Sequence, residues 1–270
     1  MDAIRVIVNG AGGRMGRMIV STVSRQDDMV VVGAVEASGY ARIGEDAGAL
    51  AGIGDIGVPI AGDLLAVIAS GDVIIEFTSP EATLQHLEVA GSHGKAAVVA
   101  TTGFDAAQES ELDRLASLLP CVVAANYSVG VNVLLKAVEI TAKTLGDAYD
   151  VEIIEAHHNE KKDAPSGTAI RIAEVAAKAL DRDLGETAVY GRHGVVGART
   201  PKEIGIHAIR GGDIVGDHTI MFVGQGERVE LTHRAQSRET FANGAVRAAR
   251  WVLHAPLGRH SIEDVLFSRR

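Results

Sequence analysis

Residues 155–169, EAHHNEKKDAPSGTA, concentrate side chains that can transfer protons or bind ions. The segment holds two adjacent histidines and two adjacent lysines, followed by a proline, a serine, a glycine and a threonine. Such a set suits a metal site, a general acid, an anion site, or a solvated loop between a strand and a helix. The spacing of the residues helps to separate these four possibilities.

A metal site is disfavoured. His157 and His158 are adjacent, so on a strand their side chains point to opposite faces and cannot easily share one ion. Lys161 occupies the position four residues after His157, where a helical metal site would carry its second ligand. The nearby lysines would also repel a cation. The sequence therefore predicts no metal.

The second half of the segment is typical of an anion site at the start of a helix. Asp163 is predicted to be the N-cap and Pro165 to lie in the first turn. Ser166, Gly167 and Thr168 would then present N–H groups and hydroxyls to a carboxylate at the positive helix end. A capped helix that binds no ligand is the alternative.

A glycine loop near the start of the chain, VNGAGGRMGRM, predicts a dinucleotide site. It lies between a strand and a helix, where the backbone must turn sharply and approach a pyrophosphate. Glu36 follows the second strand, at the position of a carboxylate that accepts from ribose hydroxyls. The loop has the pattern G-x-x-G-x-x-G with one extra glycine, and its predicted contacts are Gly10, Ala11, Gly12, Gly13, Arg14, Met15 and Gly16.

The same region predicts NADH in preference to NADPH. The carboxylate of Glu36 would repel a 2′-phosphate, and Ala37 and Ser38 offer no positive partner. Arg14 is the nearby cation that would allow some use of NADPH.

Three further strand ends are predicted to line the nicotinamide half of the cleft, because ligands of open parallel sheets lie outside the carboxyl ends of the strands. The predicted lining residues are Phe77, Ala100, Thr101, Thr102, Gly103, Ala124, Ala125, Asn126 and Tyr127.

A dinucleotide site in the same chain favours a catalytic role for residues 155–169. Histidine titrates near neutral pH, and a lysine beside an anionic substrate can donate a proton or clamp the anion. With a hydride source in the same chain, His157 and Lys161 indicate reduction of a small anionic C=N or C=C substrate.

Short apolar strands alternate with helices up to about residue 128, which predicts an α/β fold with a parallel sheet of the Rossmann type. Later strands alternate apolar and polar residues, which predicts an α+β domain with a mixed or antiparallel sheet. We expect a dinucleotide-binding domain of residues 1–128 and 239–270, and a substrate-binding and oligomerisation domain of residues 129–238.

Other residues are predicted to have ordinary roles. The glycine-rich segment 39–57 is expected to be a surface loop, with Glu45 and Asp46 solvated. Outward-facing or structural positions are expected for three histidines of the later strands, His207, His218 and His233.

Composition excludes several classes of protein. The net charge of −9 provides no basic surface for nucleic acid. The single cysteine, Cys121, allows no intramolecular disulfide and suits a reducing compartment. No signal peptide or long apolar segment is evident. The sequence thus predicts a cytoplasmic protein without membrane partners.

Several motifs together resemble bacterial dihydrodipicolinate reductase, also called 4-hydroxy-tetrahydrodipicolinate reductase. The resemblance runs from about residue 4 to residue 266 and is carried by GAGGRMGR, EFTSP, TTGF, AANYSVGVN, EIIEAHHNEKKDAPSGTA, RGGDIVGDHT and THRAQSRETFANGAVRAARW. The H-H-x-x-K-x-D-x-P-S-G-T block is the most specific of them, because ordinary Rossmann dehydrogenases lack it.

The resemblance implies NAD(P)H-dependent reduction of a cyclic dicarboxylate in the diaminopimelate route to lysine, by a homotetramer. His157 resembles the family's proton donor and Lys161 its second catalytic group. The resemblance also implies substrate-carboxylate contacts by His158, Ser166, Gly167, Thr168 and Arg238. The arginine often found after the ribose-binding acid is replaced by Ala37, which is a departure that weakens the case for NADPH.

Three other functions remain open from the residues alone. They are a related Rossmann oxidoreductase acting on an amino acid or a semialdehyde, a nonenzymatic NADH-binding regulator, and a metal-dependent hydrolase. The double-histidine block argues against the first, and the paired His157 and Lys161 argue against the second.

Overall fold

The computed structural model of the chain describes residues 2–268, which form two compact units. One unit contains the residues up to Ser128 and those from Glu239 onward, and the other is Val129–Arg238. The helices and strands of the described residues, in chain order, are β1 (Ile4–Asn9), α1 (Arg14–Ser24), β2 (Met29–Val35), α2 (Ala47–Ala51), β3 (Ile60–Ala61), β4 (Val73–Glu76), α3 (Pro80–Ser92), β5 (Ala96–Val99), α4 (Ala106–Ala116), β6 (Pro120–Val123), α5 (Val129–Leu145), β7 (Asp150–His157), α6 (Gly167–Ala179), α7 (Leu184–Thr187), β8 (Ala188–Tyr190), β9 (Ile204–Arg210), β10 (Gly216–Val223), β11 (Arg228–Ala235), α8 (Glu239–Val252), β12 (Gly258–His260) and α9 (Ile262–Phe267).

In the described part of the first unit, seven parallel strands form one sheet in the order β12-β6-β5-β4-β1-β2-β3. The central strands β4 and β5 are short apolar runs buried along their whole length, as expected for a parallel sheet covered on both faces. The strand order reverses between β1 and β4. The predicted Rossmann-type sheet is therefore confirmed, and its switch point lies beside the glycine loop.

The helices of this unit begin where the sequence supplies caps. Ser79 caps α3, with Pro80 in the first turn, where its missing N–H has no consequence. At α4, Asp105 and Gln108 form a capping box, in which each side chain accepts from the other residue's backbone N–H.

The prediction of an open, solvated loop over residues 39–57 is wrong in part. This segment contains α2, and Asp46 caps that helix through the backbone N–H groups of Gly48 and Ala49. The same carboxylate also accepts from the backbone N–H groups of Ile56 and Val58. Asp46 thus organises the loop, since four otherwise unpaired N–H groups converge on it.

The second unit carries a five-stranded mixed sheet, counted over the described residues, in the order β11-β10-β7-β9-β8. Strand β10 is antiparallel to both β7 and β11, whereas β7, β9 and β8 are parallel. Strand β7 alternates buried and half-buried residues, and Val151 and Ile153 pack in the same cluster as α5 and α6. The predicted mixed sheet is confirmed.

On the opposite face of β7, Glu152 joins a cluster of charged groups. Its carboxylate accepts from Arg192, Arg199 and His207. Burial alone would raise the pKa of Glu152, but these hydrogen bonds lower it to about 2. The cluster ties residues 192–203 to the sheet.

Within the first unit, helix α8 packs closely against the backbone of Tyr127 through a glycine. A Cβ at Gly244 would lie 1.7 Å from the backbone oxygen of Tyr127. The Tyr127 side chain is itself buried, and its hydroxyl lies within hydrogen-bonding distance of the carbonyl oxygens of Val99 and Val122. Within the described residues, no helix has the length and apolarity needed to cross a membrane.

We expect Gly244→Ala to destabilise the first unit. The added methyl would overlap the Tyr127 carbonyl, and such overpacking costs about 2 kcal/mol or more, which outweighs the gain of about 1 kcal/mol in helix propensity. The Tm measured by scanning calorimetry should fall by several degrees. The control is Asn243→Ala on the exposed face of α8, which should leave the Tm unchanged or slightly higher. A Gly244→Ala chain as stable as the parent would contradict the close packing.

Candidate active site

The glycine loop leaves β1 and enters α1 with the geometry predicted for a dinucleotide site. Gly10 has φ +77°, and a Cβ there would lie 2.4 Å from the backbone oxygen of Phe77. A Cβ at Gly16 would lie 2.0 Å from the Gly10 oxygen, so α1 sits directly against the loop. Only glycine fits at these two positions, and the loop brings backbone rather than side chains to the helix N-terminus.

Glu36, directly after β2, lies beside this loop. Its Oε1 accepts from the backbone N–H of Gly12 at 2.7 Å, which fixes the carboxylate at the edge of the cleft. Arg14, the cation considered for NADPH, is exposed at the start of α1, and Ala37 and Ser38 are also exposed.

A cleft of about 660 Å³ opens at the carboxyl ends of β1, β2 and β4. Two carboxylates, Glu36 and Asp63, line it, and no lysine or arginine does so within the described residues. The lining residues are Gly10, Gly13, Val35, Glu36, Ala37, Ser38, Gly62, Asp63, Leu64, Phe77, Thr78, Ser79, Ala82, Gln85, His86 and Val89.

These features fit a nicotinamide dinucleotide. A Cβ at Gly10 or Gly16 would fill the space that a close backbone approach needs, and α1 offers its N-terminus to a pyrophosphate. The carboxylate of Glu36 is placed as an acceptor for ribose hydroxyls.

The other residues predicted for the cleft follow β4, β5 and β6, which are neighbours in the sheet. Phe77 and Ala100 are half-buried, while Thr102 and Gly103 are exposed. Thr101 is buried, and its hydroxyl oxygen accepts from Thr83 at 2.7 Å.

The segment after β6 contains four more of the predicted residues. Ala124 and Asn126 are half-buried, and Ala125 is exposed. The Asn126 side chain accepts from the backbone N–H of Ser128 at 2.8 Å. The Tyr127 side chain is in the core, so it does not line the cleft as predicted.

Glu76, at the end of β4, was not singled out from the sequence, but it supports residues that line the cleft. It is fully buried and accepts from Asn9 at 2.7 Å, and it lies 2.9 Å from Nδ1 of His86. The Thr78 hydroxyl donates to its other oxygen. This carboxylate links the ends of β1 and β4 beneath the cleft. The sequence does contain a sign of this role, because Glu76 is the acidic last residue of an otherwise apolar strand.

In the second unit, His157 ends β7 on its buried face. Its Nδ1 lies 2.6 Å from Oε2 of Glu155, two residues earlier on the same face, and Glu155 is fully buried. Arg210, at the end of β9, donates to both oxygens of Glu155 at 2.8 Å. Burial would raise the pKa of Glu155, but the hydrogen bonds from Arg210, His157 and the Ser166 backbone bring it below its usual value.

His218 on β10 does not face outward, so of the two expected roles, outward-facing or structural, the structure leaves the structural one. It is 4% exposed, lies directly opposite Glu155 in the sheet, and meets the ring of His157 edge-on at 5.1 Å between centroids. Burial, followed by the charge of His157, lowers the pKa of His218 to about 4, so that it is neutral at pH 7. Its Nε2 lies 2.9 Å from the Ser166 hydroxyl.

The helix after this strand starts later than predicted. Ser166, not Asp163, is the N-cap of α6, and its hydroxyl accepts from the backbone N–H of Ala169. Pro165 precedes the helix and Gly167 is its first residue. Asp163 instead pairs with Lys161 at 2.9 Å. The N-cap is thus three residues later than predicted, and Ser166, Gly167 and Thr168 still lie at the start of the helix.

The structure brings together most, but not all, of the residues predicted to bind substrate. Ser166 is connected to His157 through Glu155, and Gly167 and Thr168 follow it in the first turn of α6. His158 is half-buried at the end of β7. Arg238 is exposed between β11 and α8, and no hydrogen bond or ion pair among the described residues joins it to this group.

Glu155, Arg210 and His218 were not predicted as site residues, although the sequence contains a signal for one of them. Residues two apart on a strand share a face, so an E-x-H pair places its carboxylate beside the histidine. The other two come from β9 and β10, and their approach depends on strand order. Across residues 2–268, no group of three or more His, Cys, Asp and Glu side chains is arranged for a metal ion.

Comparison with known proteins gives consistent matches along the chain. A family model for the N-terminus of dihydrodipicolinate reductase matches residues 4–127, and one for its C-terminus matches residues 130–266. The chain is 49% identical over 263 residues to 4-hydroxy-tetrahydrodipicolinate reductase of Syntrophus aciditrophicus, covering 97% of this chain and 98% of that protein. It is 52% identical over 264 residues to the Acinetobacter baumannii enzyme of that name, covering 98% and 96%.

A solved structure agrees with these matches. The dipicolinate-bound dihydrodipicolinate reductase from Paenisporosarcina sp. TG-14 aligns with a TM-score of 0.75 and 26% identity, covering 96% of this chain and 97% of that one. The chain therefore belongs to the dihydrodipicolinate reductase family of nicotinamide-dinucleotide-dependent oxidoreductases.

Proposed function

We propose that the chain reduces 4-hydroxy-tetrahydrodipicolinate to tetrahydrodipicolinate in the diaminopimelate route to lysine, with NADH preferred over NADPH. The observation that carries this proposal is the group of His157, Glu155 and Lys161 at the start of α6, in a chain whose other unit fits a dinucleotide. We assign dinucleotide binding to residues 1–128 and 239–270, and substrate binding and tetramerisation to residues 129–238.

The first unit contributes binding and orientation. The N-terminus of α1 and the glycine loop receive the pyrophosphate, and Glu36 accepts from a ribose. The residues that follow β4, β5 and β6 line the nicotinamide half. A bound reduced nicotinamide supplies hydride to an electron-poor carbon.

The second unit contributes the proton and the charge that holds the substrate. His157 acts as the general acid through Nε2, because Nδ1 is engaged by Glu155. Lys161 neutralises one substrate carboxylate, and the first turn of α6 at Ser166, Gly167 and Thr168 binds carboxylate oxygens. We assign the flanking contacts to His158 and Arg238.

Tetramerisation is proposed through the face of the mixed sheet that α5 and α6 leave open. That face carries apolar side chains, among them Ile154, Ile209 and Met221, and Ile209 is 51% exposed. A second copy of the same face would bury them. A cytoplasmic location is proposed as well, because a single cysteine allows no intramolecular disulfide and suits a reducing compartment.

The role of His157 predicts a clear kinetic effect. Loss of a general acid costs on the order of 10²-fold in kcat, so His157→Gln should lower kcat by about that factor with little change in NADH affinity. The assay follows NADH oxidation with substrate generated enzymatically, and NADH binding is measured by fluorescence. His254→Gln, at an exposed position, is the control. Near-normal kcat in His157→Gln would remove His157 from this role.

Lys161 is expected to affect both binding and chemistry. Lys161→Ala should raise the substrate KM and lower kcat, since the cation is close to the negative charge of the substrate throughout the reaction. Lys162→Ala, at the exposed neighbour, is the matched control and should change neither. A change in KM alone would make Lys161 a binding residue only.

Cofactor preference is predicted from charge. The kcat/KM for NADH should exceed that for NADPH, and Glu36→Gln should shift the ratio toward NADPH by roughly tenfold, since it removes one carboxylate that would face the 2′-phosphate. Asp27→Asn, before β2 and thus at the other end of the strand, makes the same change in net charge and should leave the ratio unaltered. Equal or better use of NADPH by the parent chain would contradict the assignment.

A further inference from the structure

We propose that Glu155, held by Arg210, is the positioning residue that sets the tautomer of His157 and couples it to the substrate-binding helix. The inference deepens the proposed function, because it rests on His157 acting as the proton donor. It concerns a carboxylate that itself is fully buried and contacts the catalytic histidine rather than substrate.

Each oxygen of Glu155 is engaged twice. Oε1 accepts from Arg210 at 2.8 Å and from the backbone N–H of Ser166 at 3.0 Å. Oε2 accepts from Arg210 at 2.8 Å and lies 2.6 Å from His157 Nδ1. A carboxylate held at both oxygens by a guanidinium fork cannot rotate without breaking several hydrogen bonds. The position of the His157 ring is therefore set by groups on β7, β9 and α6.

The charge state of Glu155 decides which nitrogen of His157 carries a permanent proton. An ionised carboxylate only accepts hydrogen bonds, so Nδ1 must be the protonated nitrogen. Arg210 compensates the buried charge and keeps the carboxylate ionised. Nε2 is then the nitrogen that exchanges its proton. The imidazolium loses the Nε2 proton to the substrate, becomes the neutral Nδ1–H tautomer, and regains a proton from solvent, while Glu155 stays unprotonated.

The neighbours of the ring support this assignment. His218 is kept neutral by burial, so it adds no positive charge against the imidazolium. A Cβ at Gly216 would lie 3.0 Å from His157 Nε2, so glycine leaves room at the nitrogen that must reach a substrate. Because Ser166 N–H binds the same carboxylate, one side chain aligns both the acid and the first turn of α6.

The alternative is an ion pair that stabilises the fold and has no effect on the histidine. Two variants separate these roles. Glu155→Gln keeps the shape but leaves the Arg210 charge uncompensated, which is destabilising in a buried site. The double variant Glu155→Gln with Arg210→Met removes that charge as well, so stability should largely return. Glu152→Gln is the matched control, since it too removes a carboxylate bound to arginine and histidine on β7.

The experiment measures kcat, substrate KM, Tm and the tautomer of His157. The tautomer is read by NMR with nitrogen-labelled histidine, and the His157 signals are identified by their loss in His157→Gln. In Glu155→Gln the amide oxygen is expected at the Oε1 position, which faces two obligatory donors, Arg210 and the backbone N–H of Ser166. The NH₂ group then takes the Oε2 position beside Nδ1, so His157 should change to the Nε2–H tautomer. We expect kcat to fall by at least about tenfold, toward the roughly 10⁴-fold loss seen when such a carboxylate is amidated in a serine-protease triad, with KM little changed.

The double variant should regain Tm without regaining kcat, and Glu152→Gln should keep both the parent tautomer and kcat. The proposal is overturned if the double variant has the parent kcat, or if His157 keeps its Nδ1–H tautomer in both Glu155 variants. The NMR measurement needs no turnover, so it tests the coupling independently of the reaction. A parent-like kcat in His157→Gln would instead remove His157 from the general-acid role while leaving the tautomer result intact. Failure of the parent chain to oxidise NADH with this substrate would overturn the proposed function.

Discussion

A buried carboxylate with its hydrogen-bonding capacity filled is the constraint on which the second unit depends. Glu155 draws together a strand end, a neighbouring strand through Arg210, and a helix start through Ser166. Burying such a charge is costly unless it is paired and hydrogen-bonded, so the three elements must meet at this point for the fold to be stable. The same requirement places His157 beside the start of α6. Stability and chemistry are thus linked through one side chain.

The first unit depends instead on a steric constraint in its backbone. Gly10 and Gly16 allow the loop, β4 and α1 to approach so closely that a single methyl would collide with a carbonyl oxygen. Beneath them, Glu76 ties the ends of β1 and β4 together without exposure to solvent. The candidate site of the first unit therefore depends on glycines that have no side chain, and that of the second unit depends on the buried side chain of Glu155. Each candidate site lies at the carboxyl end of a strand, close to the start of a helix.

Local patterns in the sequence were sufficient for much of this structure. The glycine spacing, the acid after β2 and the apolar strands predicted the parallel sheet, and the alternating strands predicted the mixed one. The errors share a physical cause. Asp163 and Ser166 are both good N-caps by type, and in the structure Ser166 caps α6 whereas Asp163 pairs with Lys161. The burial of His218 against His157 and Ser166 was not predicted, because it depends on β10 lying beside β7. Propensity describes single residues, whereas these contacts depend on strand order.

The chain returns to its first unit at the end. Residues from Glu239 onward belong to that unit, and β12 forms the edge of the seven-stranded sheet beside β6. The second unit is one continuous piece, Val129–Arg238. Domains generally fold as units while the chain leaves the ribosome. Here the second unit is complete as soon as Arg238 has emerged, whereas the first still lacks α8 over Tyr127 and the strand beside β6. The unit that is begun first is the one completed last, so emergence of α8 and β12, and not synthesis of the first 128 residues, sets the time at which the nucleotide cleft gains its full support.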